Sequence, residues 1–382
     1  MEEDLPRTGR LTASLALLGA REAPGALIKM FLSRPRGVQC PVNRYSRQIL
    51  FTPLGPSGQE RLRVARALVV GCGALGTHSA ELLARAGIGS LRLVDRDVVE
   101  WSNLHRQGGF EESHAREGMP KAQALAGWLR RINSEVEVDA RVTDFNFTNA
   151  LELADGATVI IDGTDNLPTR FLLNDVSYRL AIPWVYAGAV GSSAHVQLFS
   201  GSRGPCLRCQ LPTLPPPGTI ATCDTSGVIG PTAALAAAWQ AASALRAVSA
   251  DGIAALAGKK AMLDPWAASA RVVDTEADPE CPACARGRFE ALEGAHGERA
   301  TLLCGRAAVQ VLPAGPSTGG FNWEEAMSRI AHLGPIEMLG RVLRVHSKDG
   351  FTLTLFDDGR AIFDGLTDPV QARTLYARFI GQ

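Results

Sequence analysis

The sequence predicts an α/β protein, a doubly wound, mainly parallel sheet followed by a small α+β C-terminal domain. Three observations predict it. An apolar run at 67–70 ends in Gly71-Cys72-Gly73-Ala74-Leu75-Gly76 and passes into a small-residue amphipathic stretch at 77–86, the order strand, glycine turn, helix. Short apolar runs then alternate with helical stretches, the pattern that builds parallel sheets. Past a composition break at 285–297 the pattern changes to short strands around a hairpin signal.

Taken in order, residues 1–42 mix Arg with Glu and Asp, lack a continuous apolar core and read as a loosely ordered extension, with Met30 a second candidate start. The first strand is 67–70. Residues 90–94 supply a second, closed by Asp95, and 136–142, 158–161 and 184–186 supply three more. Residues 194–199 alternate apolar and polar. The Gly/Pro-rich stretch 201–218 suits neither helix nor central strand, and its length suggests a binding lid. Residues 230–246 return to helix, which closes a first domain spanning 43–286. In the second, 298–382, residues 301–312 are extended, 323–332 helical, and 342–346, 352–356 and 361–363 short strands. Asp357-Asp358-Gly359 is a hairpin turn, Asn322 with Glu325 a helix cap, and Asp368-Pro369 the start of the last helix.

Composition narrows the function classes. The chain has 382 residues, with 39 acidic and 39 basic side chains, so a generally basic nucleic-acid-binding surface is not expected. No run of about eighteen apolar residues suggests a membrane span, and the expectation is a soluble, cytoplasmic protein. Eight cysteines without a signal peptide point to a reducing compartment, where paired thiols bind metal more often than they form disulfides.

Gly71, Gly73 and Gly76 let the backbone approach a phosphate at a helix start, where unpaired amides and the dipole favour anions. Asp95 stands where a carboxylate can accept from ribose hydroxyls. Both features suit a nicotinamide-dependent oxidoreductase equally well. Four further strings separate the readings: Arg44-Tyr45-Ser46-Arg47-Gln48, Ser102-Asn103-Leu104-His105-Arg106-Gln107, Met119-Pro120-Lys121 and Gly163-Thr164-Asp165-Asn166. In order and spacing they resemble the ThiF/MoeB family, adenylating enzymes related to the ubiquitin-activating enzymes, whose sheet is Rossmann-like.

The resemblance implies that Arg106 and Lys121 contact the phosphates of ATP, that Ser102 and Asn103 help orient them, and that Asp165 holds Mg2+ beside Asn166. Gly71, Gly73, Ala74, Gly76, Asp95 and Asp97 complete the expected nucleotide site. Arg47 looks like the arginine finger that this family supplies from a neighbouring subunit, so a homodimer is expected. Ala74 stands where some members have glycine, a change tolerated if its backbone is helical. Such cations meet a chemical need, because attack of a carboxylate on an α-phosphate must overcome repulsion and stabilise departing pyrophosphate.

Cys206-Leu207-Arg208-Cys209 and Cys281-Pro282-Ala283-Cys284 are two knuckles, neither opening a clear helix. Their four thiolates would close a tetrahedral structural zinc site that pins the long loop. A redox CxxC is the rival reading. Cys223, between that loop and the next helix, could capture the acyl group or exchange persulfide, and fits a purely structural thiol equally well. Cys72 is a small core residue. Cys40 and Cys304 have no recognisable partner, and the histidines His78, His105 and His195 form no ligand spacing.

The combined expectation is ATP-dependent adenylation of the C-terminal Gly carboxylate of a ubiquitin-like sulfur-carrier protein with a Gly-Gly tail, in thiamine or molybdenum cofactor biosynthesis. A persulfide would then donate the sulfur. The alternatives are a related enzyme adenylating a peptide terminus or a tRNA base, an NAD enzyme, and a silent zinc-stabilised binding module.

Overall fold

The computed structural model describes residues 44–215, 226–249, 252–295, 300–303, 307–312, 323–340 and 342–380. Of the first of two units, Met1–Ser46, only Arg44, Tyr45 and Ser46 are described; the second, Arg47–Gln382, holds both sheets.

In the first sheet β1 (Arg66–Val70), β2 (Ser90–Val94), β3 (Glu137–Arg141), β4 (Val159–Asp162) and β5 (Trp184–Val190) run parallel. β6 (Ser193–Phe199), β7 (Lys259–Asp264) and β8 (Ser269–Asp274) extend it antiparallel, in the order β3-β2-β1-β4-β5-β6-β7-β8. Alternate side chains feed two cores, as the two-residue period of a strand requires. From β1, Ala67 and Val69 join the core beneath α2 (Ala74–Ala86), α3 (Lys121–Ile132) and α6 (Gly230–Ser249). Leu68 and Val70 join the core beneath α4 (Leu167–Leu180). α1 (Gly55–Val64) precedes β1, and its Arg61 Nε donates 2.8 Å to Ser249 O at the end of α6.

The second sheet is wholly antiparallel, in the order β11-β12-β13-β14-β10-β9, from β9 (Ala300–Leu303), β10 (Ala308–Val311), β11 (Ile336–Leu339), β12 (Val342–His346), β13 (Thr352–Phe356) and β14 (Ala361–Asp364). α7 (Trp323–Ile330) and α8 (Pro369–Phe379) bury Ile330, Ala372, Tyr376 and Phe379 against one face. The other face buries Phe356 and Ile362 with Val142, which follows β3, and so lies along that side of the first sheet. A cleft of about 230 Å³, lined by Val98, Glu100, Arg344, Phe356 and Ile362 among others, marks the seam.

Three local expectations need correction. The stretch 201–218 contains one helical turn, α5 (Leu207–Gln210), between Pro205 and Pro212. Cys206 is its N-cap, so the first knuckle does open a helix, too short for periodicity to reveal. The extended run 301–312 is two strands, paired antiparallel with Ala308 opposite Leu303. The Asn322–Glu325 cap, Cys40, Cys223, Cys304 and the end of the lid, 216–218, lie outside the described residues or side chains. No helix among the described residues is long and apolar enough to cross a membrane.

Candidate active site and metal centre

The chain leaves β1 for β2 and β3 on one side and returns to β4 and β5 on the other, so the sheet order reverses between β1 and β4. The crevice outside the C-terminal ends of those two strands is where ligands bind in such sheets. Two turns meet there. Gly71 N donates 2.8 Å to Val94 O, and Gly163 N donates 2.8 Å to Val70 O. Gly71 has φ +89°, and a Cβ on it would lie 2.7 Å from Gly163 O, so the two turns interlock through bare backbone. Gly73 is the N-cap of α2 without a side-chain cap, leaving the first amides of that helix for a ligand. Ala74 opens α2 in helical conformation, so its methyl costs nothing there.

Asp95, directly after β2, is nearly buried and ties this turn down. One carboxylate oxygen accepts from Cys72 N at 2.6 Å, the other from Asp97 N at 2.7 Å. Burial pushes its carboxyl up, against the pull of Lys121 and with the help of Asp97. Met119-Pro120-Lys121 is held beside it by backbone: Val99 N donates to Met119 O and Lys121 N to Asp97 O. Lys121 is the first residue of α3, 8% exposed, and its Nζ pairs with Asp97 Oδ2 at 3.1 Å. Burial works against its charge, but Asp97 and Asp95 outweigh that and hold its proton above the usual lysine range.

Ser102 and Asn103 lie on a 3-10 turn, where Asn103 Oδ1 accepts from Glu100 N at 3.0 Å. Arg106 is half-buried and donates to Ser102 O at 2.6 Å. Gly230, which opens α6, packs so close to it that a Cβ there would lie 3.0 Å from His105 O. Asp165 is exposed at the mouth of the second turn, and Asn166 caps α4 by accepting from Thr169 N at 2.9 Å. His78 faces Gly108 and His105 is exposed, so neither joins this cluster.

Arg47 stands apart from it. It is exposed on the turn Ser46–Ile49, and the neighbouring Gln48 donates to Gln59 Oε1 at 2.7 Å and to Ala86 O at 2.8 Å. Ala86 is the last residue of α2 and Ala74 the first, so the helix carries Arg47 about 20 Å from the glycine turn of its own chain.

Sequence reasoning missed the braces. Asp162, fully buried, receives Thr164 N and Thr164 Oγ1 on one oxygen and Arg170 Nε at 3.2 Å on the other. Arg170 Nη2 also donates to Thr164 O at 2.6 Å and Ala187 O at 2.9 Å, which fixes the second turn. Arg96 joins Asp144 at 2.8 Å and Asp97 at 3.9 Å. Burial opposes the Arg96 cation, yet Asp144 and then Asp97 hold its proton above the usual range. The signal available was an arginine directly after Asp95 and another on the helix after Asp162.

The two knuckles come together. Cys206 Sγ lies 3.5 Å from Cys281 Sγ and 3.9 Å from Cys209 Sγ, and Cys209 Sγ lies 3.4 Å from Cys284 Sγ. Four sulfurs around a tetrahedral ion at about 2.3 Å would stand about 3.8 Å apart, so this cluster can hold a metal such as zinc. Burial pushes the Cys206 thiol up to about 12, with Cys209 and Cys281 adding to the shift, so thiolates packed here call for a cation. The cluster joins α5 to residues after β8, and Tyr178 OH donates to Arg203 O and Pro205 O beneath it.

The comparisons agree with this geometry. The ThiF family model matches residues 45–283. The Bacillus subtilis protein named "Sulfur carrier protein ThiS adenylyltransferase" is 38% identical over 338 residues, 88% of this chain and 99% of that one. A match of that length must run well past residue 283 into the second sheet. The Haloferax volcanii "SAMP-activating enzyme E1" is 37% identical over 252 residues, 66% of this chain and 92% of that protein. Among solved structures, Escherichia coli MccB with succinimide shares the fold at a TM-score of 0.57 and 24% identity, over 65% of this chain and 75% of that one. With interlocked glycine turns at the switch point, a lysine–aspartate pair beside them and a match over more than half its length, the chain belongs to the ThiF family.

Proposed function

We propose that this chain is an ATP-dependent adenylyltransferase that activates the C-terminal Gly carboxylate of a ubiquitin-like sulfur-carrier protein. The observation that carries the reading is the buried, protonated Lys121 held by Asp97 beside the uncapped start of α2, a fixed cation and a row of free amides at one crevice. ATP would lie with its phosphates over Gly73 and its ribose toward Asp95. The carrier's carboxylate attacks the α-phosphate, the bond to the β-phosphate breaks, and pyrophosphate leaves; the product is an acyl-adenylate. The nucleophile already lacks its proton, so positioning and fixed charge supply the catalysis and no general base is required.

Arg106, Ser102 and Asn103 border the same crevice as further phosphate ligands, with Asn166 at its rim. A magnesium ion, bound by Asp165 and the phosphates, would offset the repulsion between the incoming carboxylate and the triphosphate. The distance of Arg47 from its own glycine turn, with exposed Leu50 and Phe51 beside it, supports its donation to a second copy in a homodimer. The four cysteines would hold a structural zinc, and Cys223 would accept the acyl group with release of AMP, or sulfane sulfur from a persulfide with release of the donor thiol.

ATP–pyrophosphate exchange tests the reading. Exchange stimulated by a Gly-Gly-ended carrier is expected in the wild-type chain and cut steeply in Arg47→Ala and Asp165→Ala, both still folded. Stimulation by a free peptide or by tRNA instead of the carrier would move the substrate to another member of the family's range, and normal exchange in both variants would remove these residues from the mechanism.

A further inference from the structure

The hairpin β13–β14 turns through Asp357-Asp358-Gly359 and buries the next side chain, Arg360, completely. Its guanidinium lies over the Phe356 ring, 3.5 Å from the centroid. Nε, Nη1 and Nη2 find no hydrogen-bond partner among the described residues; the Asp358 carboxylate is 3.6 Å from Nε, an ion pair without a hydrogen bond. A buried cation with unused donors is expensive to keep, so its place in the charge arrangement needs a reason.

That place is at the end of a row of charges reaching the nucleotide crevice. Thr143, just after β3, donates its hydroxyl to Asp358 Oδ2 at 3.2 Å, and Tyr376 OH donates to Gly359 O at 2.6 Å, so the hairpin tip is fastened from both sides. The next residue, Asp144, takes Arg96 Nη1 at 2.8 Å; Arg96 reaches Asp97 Oδ1 at 3.9 Å; and the other oxygen of Asp97 takes Lys121 Nζ at 3.1 Å. The fields felt at Arg360 come from the same groups: burial disfavours its charge most, Asp358, Asp144 and Asp97 favour it, and Arg96 opposes it.

We propose that Arg360 is a positioning residue for the nucleotide: by compensating Asp144 from the second sheet it leaves Arg96 shared with Asp97, and so keeps Lys121 free to meet phosphate. The second sheet is thereby part of the ATP-binding apparatus rather than a separate appendage. Without Arg360, Asp144 holds Arg96 more strongly, Asp97 draws Lys121 in more tightly, and the crevice becomes more negative toward a triphosphate. The inference rests on the proposed nucleotide placement beside Asp95 and Lys121.

The test is steady-state ATP–pyrophosphate exchange with calorimetric ATP binding, on the full chain. Arg360→Met is expected to raise the KM and Kd for ATP roughly three- to thirtyfold, the range of couplings carried through contiguous networks, with kcat at saturating ATP changed by less than about twofold. Asp358→Asn keeps an amide oxygen for Thr143 but removes a negative charge, and is expected to lower the KM for ATP by roughly twofold or more. Thr143→Val cuts the tether while leaving every charge, and is expected to leave that KM within about twofold of wild type.

Opposite signs for the first two variants are what a purely structural hairpin would not give. An unchanged KM in Arg360→Met, a KM unchanged or raised in Asp358→Asn, or equal rises in Arg360→Met and Thr143→Val would overturn the inference. If Arg360→Met does not fold, the sign in Asp358→Asn decides. Asp95→Asn runs in parallel: where it responds and the hairpin variants are silent, the inference alone falls, and where none responds, the nucleotide placement falls with it.

Discussion

Replacing Gly163 with alanine separates what the two turns do for each other from what they do for a nucleotide. Gly163 does not have a left-handed backbone, so alanine suffers no conformational penalty there and the effect is purely one of space. Its Cβ would lie 2.1 Å from Gly71 O, 2.9 Å from Gly76 Cα and 3.1 Å from Gly71 C. The two turns must therefore part by about 1 Å, and a misplacement of that size in a site that works by positioning costs on the order of a hundredfold in rate. Overpacking of this kind destabilises by about 1–3 kcal/mol, which lowers Tm by roughly 1–4 °C in a chain of this size.

Gly73→Ala is the matched control, because a Cβ there meets nothing nearer than Gly163 O at 3.7 Å and Gln107 Nε2 at 3.9 Å. It should fold with an unaltered Tm, and any loss of exchange then reports the new methyl against the nucleotide. Thermal melts and ATP–pyrophosphate exchange on both variants decide the matter. A Gly163→Ala protein with wild-type Tm and rate would refute the interlock, and a Gly73→Ala protein with wild-type exchange would show that phosphate does not approach that backbone.

Two further outcomes follow from buried groups. Cys281→Ser, or exhaustive chelation of the wild type, removes a ligand from the sulfur cluster that joins α5 to the segment after β8, and should lower Tm on the order of 10 °C. A Tm unaltered by both treatments would mean the cluster holds no structural metal. Asp175, buried in α4, accepts from Ala291 N at 2.8 Å, and burial pushes its carboxyl up to about 6 against an ordinary value near 3.8. The folded state therefore binds that proton more tightly than the unfolded state, so its contribution is fully present below pH 3.8 and is lost as pH rises toward 6. Near neutrality the loss amounts to about 3 kcal/mol. Asp175→Asn keeps an oxygen for Ala291 N, and its Tm should exceed wild type at pH 7–8 with the gap closing as pH falls toward 4; a gap independent of pH would assign the effect to packing instead.

β1 and β4 were legible because, central in the sheet, they are buried almost throughout and stand out as apolar runs between turn residues. β7 and β8 were not. β8 is exposed along its whole length and edges the sheet, so Ser269–Asp274 carries no burial pattern, and β7 begins with two lysines. Only the pairing of Ala261 with Val196 and Val272, which no local window contains, makes them strands. β11, with its Glu337 and Met338 exposed, is hidden for the same reason.

In the crevice, the groups that face a ligand carry recognisable strings, whereas the groups that hold them carry none. Gln240 is the plainest case: from the middle of α6 its amide donates to Asp162 O at 2.9 Å and Val185 O at 2.6 Å, and accepts from Ser79 Oγ at 2.7 Å. One side chain thus satisfies the carbonyls of two parallel strands and a hydroxyl of α2, yet in the sequence it is one glutamine in an alanine-rich helix. The same holds for Arg360, whose ion-pair partner Asp358 is tied to Thr143 after β3, because the partner of a buried polar group is chosen by topology and can lie across the fold. A motif specifies which atoms must meet phosphate. Its rigidity comes from these distant residues, and substitutions there should alter ATP affinity without touching a single motif position.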